Sequence, residues 1–241
     1  MTETAIPIVA LDVRSGAEAL DLARSISDMC RFFKVGSELF VAEGPRIVRA
    51  LRDDVGADVF LDLKLHDIPN TVAGAVRSAR TLGVRLLTVH ASGGRAMLDA
   101  AQDAAGADCG VLGVTVLTSF DADSLGRSWG RERLVVEDEV LRLAGDALGA
   151  ALHGVVCSGA EAAAVGEAYG RRLAVLVPGI RLSGGDAHDQ RRIVTPRAAQ
   201  TAGARYLVLG RAVTAAADPR AAMAEVLAEL AADSPPGVQE K

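Results

Sequence analysis

Eight short segments rich in β-branched residues alternate with longer Ala- and Leu-rich segments along almost the whole chain. The predicted strands cover residues 6–11, 32–35, 59–64, 86–89, 110–117, 154–156, 173–177 and 206–209. The predicted helices lie near residues 16–29, 45–54, 70–82, 94–105, 134–149, 159–169, 196–203 and 218–232. Eight strands that are each followed by a helix predict an α/β fold, the (β/α)8 TIM barrel. A doubly wound open sheet is the alternative.

The chain shows no internal linker rich in Pro, Gly or Ser, and its 241 residues are about the length of one TIM barrel. We therefore expect a single barrel domain over residues 1–232. Residues 233–241 contain two prolines, a glycine and polar residues, and this composition predicts a disordered tail.

Charge and composition restrict the partners that we expect. The net charge of −5 argues against nucleic acid, which requires a basic surface. No apolar run approaches the ~20 residues that span a bilayer, and the first residues lack the features of a signal peptide, so no membrane partner is expected. The three cysteines are odd in number and widely spaced, which favours buried thiols in a reducing compartment, the cytoplasm.

Charged residues cluster at the carboxyl ends of the first three predicted strands, where TIM barrels have their active sites. These residues are Asp12, Lys34, Asp62, Lys64 and, just beyond the third strand, Asp67. One interpretation is an ion-pair network that closes the barrel, with Asp67 as the cap of a helix that begins at Pro69. The other is an active site, which we favour because two aspartates interleaved with two lysines are costly to assemble without a function.

The later strands end in residues that suit a phosphate. Gly210 and Arg211 follow the eighth strand, a common position for phosphate in these barrels. Between the seventh and eighth strands, residues 182–190 form a polar, Gly-containing segment that is either a lid or an ordinary surface loop. His90 ends the fourth strand, where it is either a catalytic imidazole or a packing residue.

Several runs of the chain resemble the orotidine 5′-phosphate decarboxylase family. The third strand and its exit carry the family's defining motif, Asp62-x-Lys64-x-x-Asp67-Ile68-Pro69-Asn70-Thr71. Further matches occur in the family's order at residues 11–12, 33–36, 88–90, 116–119, 177–181, 189–192 and 210–211. The resemblance covers about residues 6–232.

This resemblance implies the conversion of orotidine 5′-phosphate to UMP and CO2, the last step of de novo UMP synthesis, without a cofactor. It assigns Lys64 to stabilising and protonating the carbanion at C6, and it places Asp62 beside the substrate carboxylate. Asp67 and Lys34 complete the implied catalytic group. The implied substrate-binding residues are Asp12, Lys34, Asp67, Ile68, Thr71, Thr118, Pro178, Arg181, Gln190, Gly210 and Arg211.

The resemblance also implies a homodimer in which Asp67, Ile68 and Thr71 enter the neighbouring subunit's active site. A sister group of sugar-phosphate decarboxylases and aldolases shares the Asp-x-Lys-x-x-Asp core but binds Mg²⁺ with an acidic residue on the second strand. Here that strand carries Lys34, which would repel a cation, so we expect no metal. The Mg²⁺-dependent lyase and a catalytically silent barrel are the alternatives.

Overall fold

Eight parallel strands close into a barrel in chain order in a computed structural model that describes residues 4–182 and 194–232. The strands are β1 Ile6–Ala10, β2 Phe32–Gly36, β3 Asp58–Leu65, β4 Leu86–His90, β5 Gly110–Val114, β6 Gly154–Val156, β7 Ala174–Ile180 and β8 Tyr206–Leu209. Pairing of β1 with β8 closes the sheet. The predicted TIM barrel is therefore confirmed, and the open doubly wound sheet is wrong.

Helices surround the barrel. They are α1 Gly16–Ile26, α2 Ser37–Glu43, α3 Pro45–Asp53, α4 Pro69–Thr81, α5 Arg95–Ala105, α6 Ala122–Trp129, α7 Val136–Gly149, α8 Ala162–Tyr169, α9 Pro196–Thr201, α10 Arg211–Thr214 and α11 Pro219–Ala231. None of the helices in the described ranges is long and apolar enough to cross a bilayer. Most of the predicted lid (183–190) and the predicted tail (233–241) lie outside the described residues.

Three of these helices, α2, α6 and α10, were not predicted. Each has eight residues or fewer, so the apolar periodicity of a longer helix is missing. Helix α6 instead depends on its ends: Asp121 and Ser124 form a capping box, and Gly130 adopts the left-handed conformation after its last turn.

The fifth strand ends at Val114, three residues before the predicted end. The backbone N–H and the hydroxyl of Thr115 both donate to the carbonyl oxygen of Val156, at 3.2 and 2.7 Å. Beyond this point the chain leaves the sheet, so that Val116, Leu117 and Thr118 turn towards the open end of the barrel.

The core consists of two apolar layers. The larger one lies between the strands and the helices, and the smaller one fills the barrel interior. Inside the barrel, Phe32 packs edge-on against Tyr206 with ring centroids 6.3 Å apart. Phe60 and Leu176 lie above this pair and form part of the floor of a cavity at the carboxyl ends of the strands.

Candidate active site

A cavity of about 510 Å³ opens at the carboxyl ends of the strands. This volume lies within the range that small-molecule sites occupy. Its floor is apolar and comes from the barrel interior. Its lining includes most of the site residues expected from the sequence: Asp12, Lys34, Asp62, Lys64, Thr118, Pro178, Arg181, Gly210 and Arg211.

Lys34 lies at the buried edge of this cavity, with 8% of its surface exposed. Its Nζ donates to Oδ1 of Asp12 at 2.7 Å and lies 3.8 Å from Oδ2 of Asp62. A buried ammonium group requires such partners, because its desolvation is otherwise uncompensated. Gly36 leaves space for this pair: a Cβ there would lie 3.0 Å from both Lys34 Nζ and Asp12 Oδ1.

Asp62 links the two lysines. Lys64 Nζ donates to both of its carboxylate oxygens at 2.8 Å, and the Thr88 hydroxyl donates to Oδ1 at 2.9 Å. The Asp62 side chain is 12% exposed, whereas that of Lys64 is 37% exposed. Charge-assisted hydrogen bonds of this kind fix both the distance and the direction of the Lys64 ammonium group.

The backbone at Lys64 departs from a regular strand. Leu61 pairs with Leu87 and Leu65 pairs with Val89, so β3 advances four residues while β4 advances two. Lys64 has a φ of +50°, in the left-handed region, where a residue with a side chain is strained by roughly 1–3 kcal/mol. Simple strand alternation predicts that Asp62 and Lys64 share a face; in the structure a bulge brings these two side chains together.

The opposite end of the cavity carries two guanidinium groups, Arg181 and Arg211. Arg181 is 8% exposed. Burial, and then the charge of Arg211, lower the pKa of Arg181. Arg211 is exposed, and an anion bound between the two guanidinium groups would relieve their mutual repulsion. Gln190, expected on this side, lies outside the described residues.

Thr214 also lines this end of the cavity and was missed from the sequence. It lies three residues after Arg211 in α10, and this spacing places both residues on one face of a helix. The spacing could have indicated Thr214, but only if the four-residue helix had been recognised.

Asp67, Ile68 and Thr71 do not line this cavity in the described structure; all three are exposed, Ile68 by 67%. Asp67 Oδ1 accepts a hydrogen bond from the backbone N–H of Ile68 at 2.6 Å. The N-cap of α4 is Ile68, and no side chain caps the helix. The interpretation of Asp67 as a helix cap is therefore wrong.

His90 lies outside the described cavity lining and packs against His66, with ring centroids 5.4 Å apart. Burial, followed by the charges of His66 and Lys64, lowers the pKa of His90, while Asp62 opposes this shift. An imidazole that packs against another ring and does not line the described cavity favours the packing role over the catalytic one.

The donor set around Asp62 does not suit a divalent cation. Both carboxylate oxygens accept from Lys64, and Lys34 Nζ lies 3.8 Å away. Within residues 4–182 and 194–232, no group of three or more His, Cys, Asp or Glu side chains could hold a metal ion. A Mg²⁺ ion at Asp62 would have to displace one ammonium group and tolerate another.

Comparison with known proteins identifies the family. The model of the orotidine 5′-phosphate decarboxylase / HUMPS family matches residues 6–226. A relative from Halorhodospira halophila, named orotidine 5′-phosphate decarboxylase, is 51% identical over 231 residues, covering 93% of this chain and 95% of the relative. A relative of the same name from Moorella thermoacetica is 47% identical over 231 residues, covering 92% and 91%.

Among solved structures, orotidine 5′-phosphate decarboxylase from Lactobacillus acidophilus superposes with a TM-score of 0.82 at 35% identity, covering 95% of this chain and 100% of that one. The fold, the ordered motifs and the similarity over nearly the whole length agree. The chain belongs to the orotidine 5′-phosphate decarboxylase / HUMPS family.

Proposed function

We propose that the chain decarboxylates orotidine 5′-phosphate to UMP and CO2 without a cofactor. The observation that carries this proposal is one cavity with the Lys34–Asp62–Lys64 array at one end and Arg181 and Arg211 at the other. Among its described lining residues, four cations face two carboxylates. This excess suits a substrate with a carboxylate at one end and a phosphate at the other. The names of the relatives support the same substrate.

The chemical difficulty is the electron pair that remains at C6 when CO2 leaves. This pair lies in the plane of the pyrimidine ring, so the π system cannot delocalise it directly. Stabilisation must then come from fixed charges directed at the developing carbanion. Lys64 meets this requirement, because two hydrogen bonds to Asp62 hold its ammonium group in place.

The same lysine can complete the reaction. The C–C bond breaks with its electron pair left on C6, and a proton from Lys64 Nζ forms the C6–H bond of UMP. Lys64 is left as a neutral amine and regains a proton from solvent, which its half-exposed side chain can reach. Asp62 lies beside the departing carboxylate, and the repulsion between the two anions disappears as neutral CO2 forms.

The remaining lining residues hold the substrate in this proposal. Asp12 and Lys34, joined at 2.7 Å, bind the ribose hydroxyls. Thr118 contacts the edge of the pyrimidine, and Pro178 contributes to the wall beside it. The phosphate is bound by Arg181, Gly210 and Arg211, and by Gln190.

The arginines proposed to bind the phosphate lie at the other end of the cavity from Asp62 and Lys64. Their contribution can therefore be tested separately from the breaking of the C–C bond. We expect Arg211→Ala to lower kcat/KM for orotidine 5′-phosphate by about 10- to 100-fold, because a charged hydrogen-bonding group is lost. Arg211→Ala should consume a substrate analogue without the phosphate at nearly the rate at which the wild type consumes it. Steady-state kinetics with both substrates provide the measurement.

The matched control is Arg24→Ala, which removes an exposed arginine whose only described ion pair is with Asp21 on the same helix. It should leave both rates unchanged. Equal losses by Arg211→Ala on both substrates would contradict a phosphate-specific role.

The proposal includes a homodimer with shared sites. Asp67, Ile68 and Thr71 follow Lys64 closely in the chain but are exposed outside its cavity. Ile68 exposes two thirds of its surface, which is unusual for a large apolar side chain beside an active site. A second subunit that covers Ile68 would receive Asp67 in its own cavity.

The competing Mg²⁺-dependent lyase predicts a different response to chelation. We expect kcat/KM for orotidine 5′-phosphate to be unchanged after dialysis against EDTA, because Lys34 and Lys64 occupy the surroundings of Asp62. Loss of activity that returns with added Mg²⁺ would contradict the metal-free proposal.

A direct assay tests the reaction itself. The conversion changes the conjugation of the pyrimidine, so ultraviolet absorbance follows the loss of orotidine 5′-phosphate. Turnover supports the proposed function. Its absence, with intact UMP binding, would favour the silent barrel.

We place the enzyme in the cytoplasm. The three cysteines, Cys30, Cys109 and Cys157, are all buried and free. Burial raises the pKa of the Cys109 thiol to about 11, so this thiol is unreactive near neutral pH. Unpaired thiols of this kind are typical of a reducing compartment.

A further inference from the structure

We propose that Thr88 is a positioning residue that sets the geometry of the Asp62–Lys64 pair through a single hydroxyl group. The inference rests on the proposed function of the site. Thr88 lies in β4 and is fully buried. Its Oγ1 accepts from the backbone N–H of Lys64 at 2.9 Å and donates to Oδ1 of Asp62 at 2.9 Å.

The position of Thr88 matches the bulge in β3. Leu87 and Val89, its neighbours in β4, pair with Leu61 and Leu65, so Thr88 faces the three bulged residues between them. A bulge removes backbone groups from the regular ladder of hydrogen bonds, and a backbone N–H that is left unpaired is costly. The Thr88 hydroxyl supplies the missing acceptor for Lys64.

The same hydrogen bond stabilises the left-handed backbone of Lys64, whose φ is +50°. A lysine has no intrinsic preference for this conformation, and a neighbouring contact must hold it. Thr88 therefore determines where the Lys64 side chain leaves the strand.

The second hydrogen bond acts on the other partner. A threonine hydroxyl has one hydrogen, and Thr88 directs it to the Asp62 oxygen that also accepts from Lys64 Nζ. This bond limits rotation of the carboxylate and so limits movement of the ammonium group. Thr88 lies behind the described cavity lining, and it acts through Asp62 and Lys64 without contacting the substrate.

Two substitutions separate the hydroxyl from the shape of the side chain. Thr88→Val keeps the shape but can neither donate nor accept, whereas Thr88→Ser keeps both hydrogen bonds. We expect Thr88→Val to lower kcat by about 10- to 100-fold, the effect of a misplacement of about 1 Å, with KM changed less than about threefold. Thr88→Ser should stay within about threefold of the wild-type kcat.

Activity must be expressed per intact site, since a partly unfolded variant would also show a low apparent kcat. Titration with UMP counts the binding-competent sites. Tyr169→Phe is the matched control: it removes a hydroxyl that donates to the Leu141 carbonyl at 2.7 Å in the helix layer. It should leave kcat per site unchanged.

Wild-type turnover in the same assay tests the proposed function. The ratio of kcat per site between Thr88→Val and Thr88→Ser tests the role of Thr88. A wild-type kcat per site in Thr88→Val, or equal losses in both variants, would overturn the inference. A crystal structure of Thr88→Val tests it independently of activity: Lys64 should leave its left-handed backbone conformation or lose a hydrogen bond to Asp62. Unchanged geometry at both residues would also overturn the inference.

Discussion

Lys64→Ala should lower kcat by about 10,000-fold or more, because in the proposed mechanism one side chain provides both the charge that stabilises the carbanion and the proton that quenches it. Binding should survive, since the two arginines at the far end of the cavity and the Asp12–Lys34 pair remain. We therefore expect UMP to bind with nearly wild-type affinity. Single-turnover kinetics together with UMP titration would separate these effects.

The variant should fold, because Asp62 keeps a hydrogen bond from Thr88 and remains near Lys34. Lys64→Arg is the informative companion. A guanidinium group restores a positive charge but does not release a proton at neutral pH, so it should recover little activity. Substantial turnover by Lys64→Ala would show that another group protonates C6.

Asp67→Ala should lower kcat by about 100-fold or more, because a charge is removed from a site that depends on fixed charges. This residue is exposed outside the cavity of its own subunit, so its effect requires a shared site. Mixing Asp67→Ala with Lys64→Ala subunits should then restore activity. Each heterodimer contains one complete site and one site with both substitutions.

Random exchange of subunits predicts about one quarter of the wild-type activity, since half of the dimers are mixed and half of their sites are complete. The control replaces the Asp67→Ala subunit with the Lys64→Ala/Asp67→Ala double variant. This double variant cannot form a complete site with Lys64→Ala. Recovery in the control, or none in the test mixture despite exchange of subunits, would contradict the shared site.

The fold was predictable because the barrel requires a regular alternation that eight pairs of segments display. Short elements were not predictable, because α6 depends on its capping box, and α2 and α10 have no side-chain cap and pack against barrel strands instead. The early end of β5 has a similar origin. Its β-branched run favours a longer strand, but its neighbour β6 ends at Val156, the residue to which Thr115 donates.

It was predictable that Asp12, Lys34, Asp62 and Lys64 would line one cavity, because polar residues at strand ends meet at one mouth of the barrel. Their geometry was not. The bulge at Lys64 results from the register between β3 and β4, which no local pattern near residue 64 indicates. The role of Thr88 was not predictable for the same reason, since threonine is common in strands and its contact with Lys64 depends on the register of the partner strand.

The lysines and the arginines of the cavity lie at opposite ends. The ammonium groups of Lys34 and Lys64 surround Asp62, whereas the cations described at the other end are the guanidinium groups of Arg181 and Arg211. An arginine keeps its proton under conditions in which proteins remain folded, but a lysine can give its proton away. In the proposed reaction, the groups that bind the substrate therefore keep a constant charge, whereas the group that acts on C6 loses its proton and regains it once in every catalytic cycle.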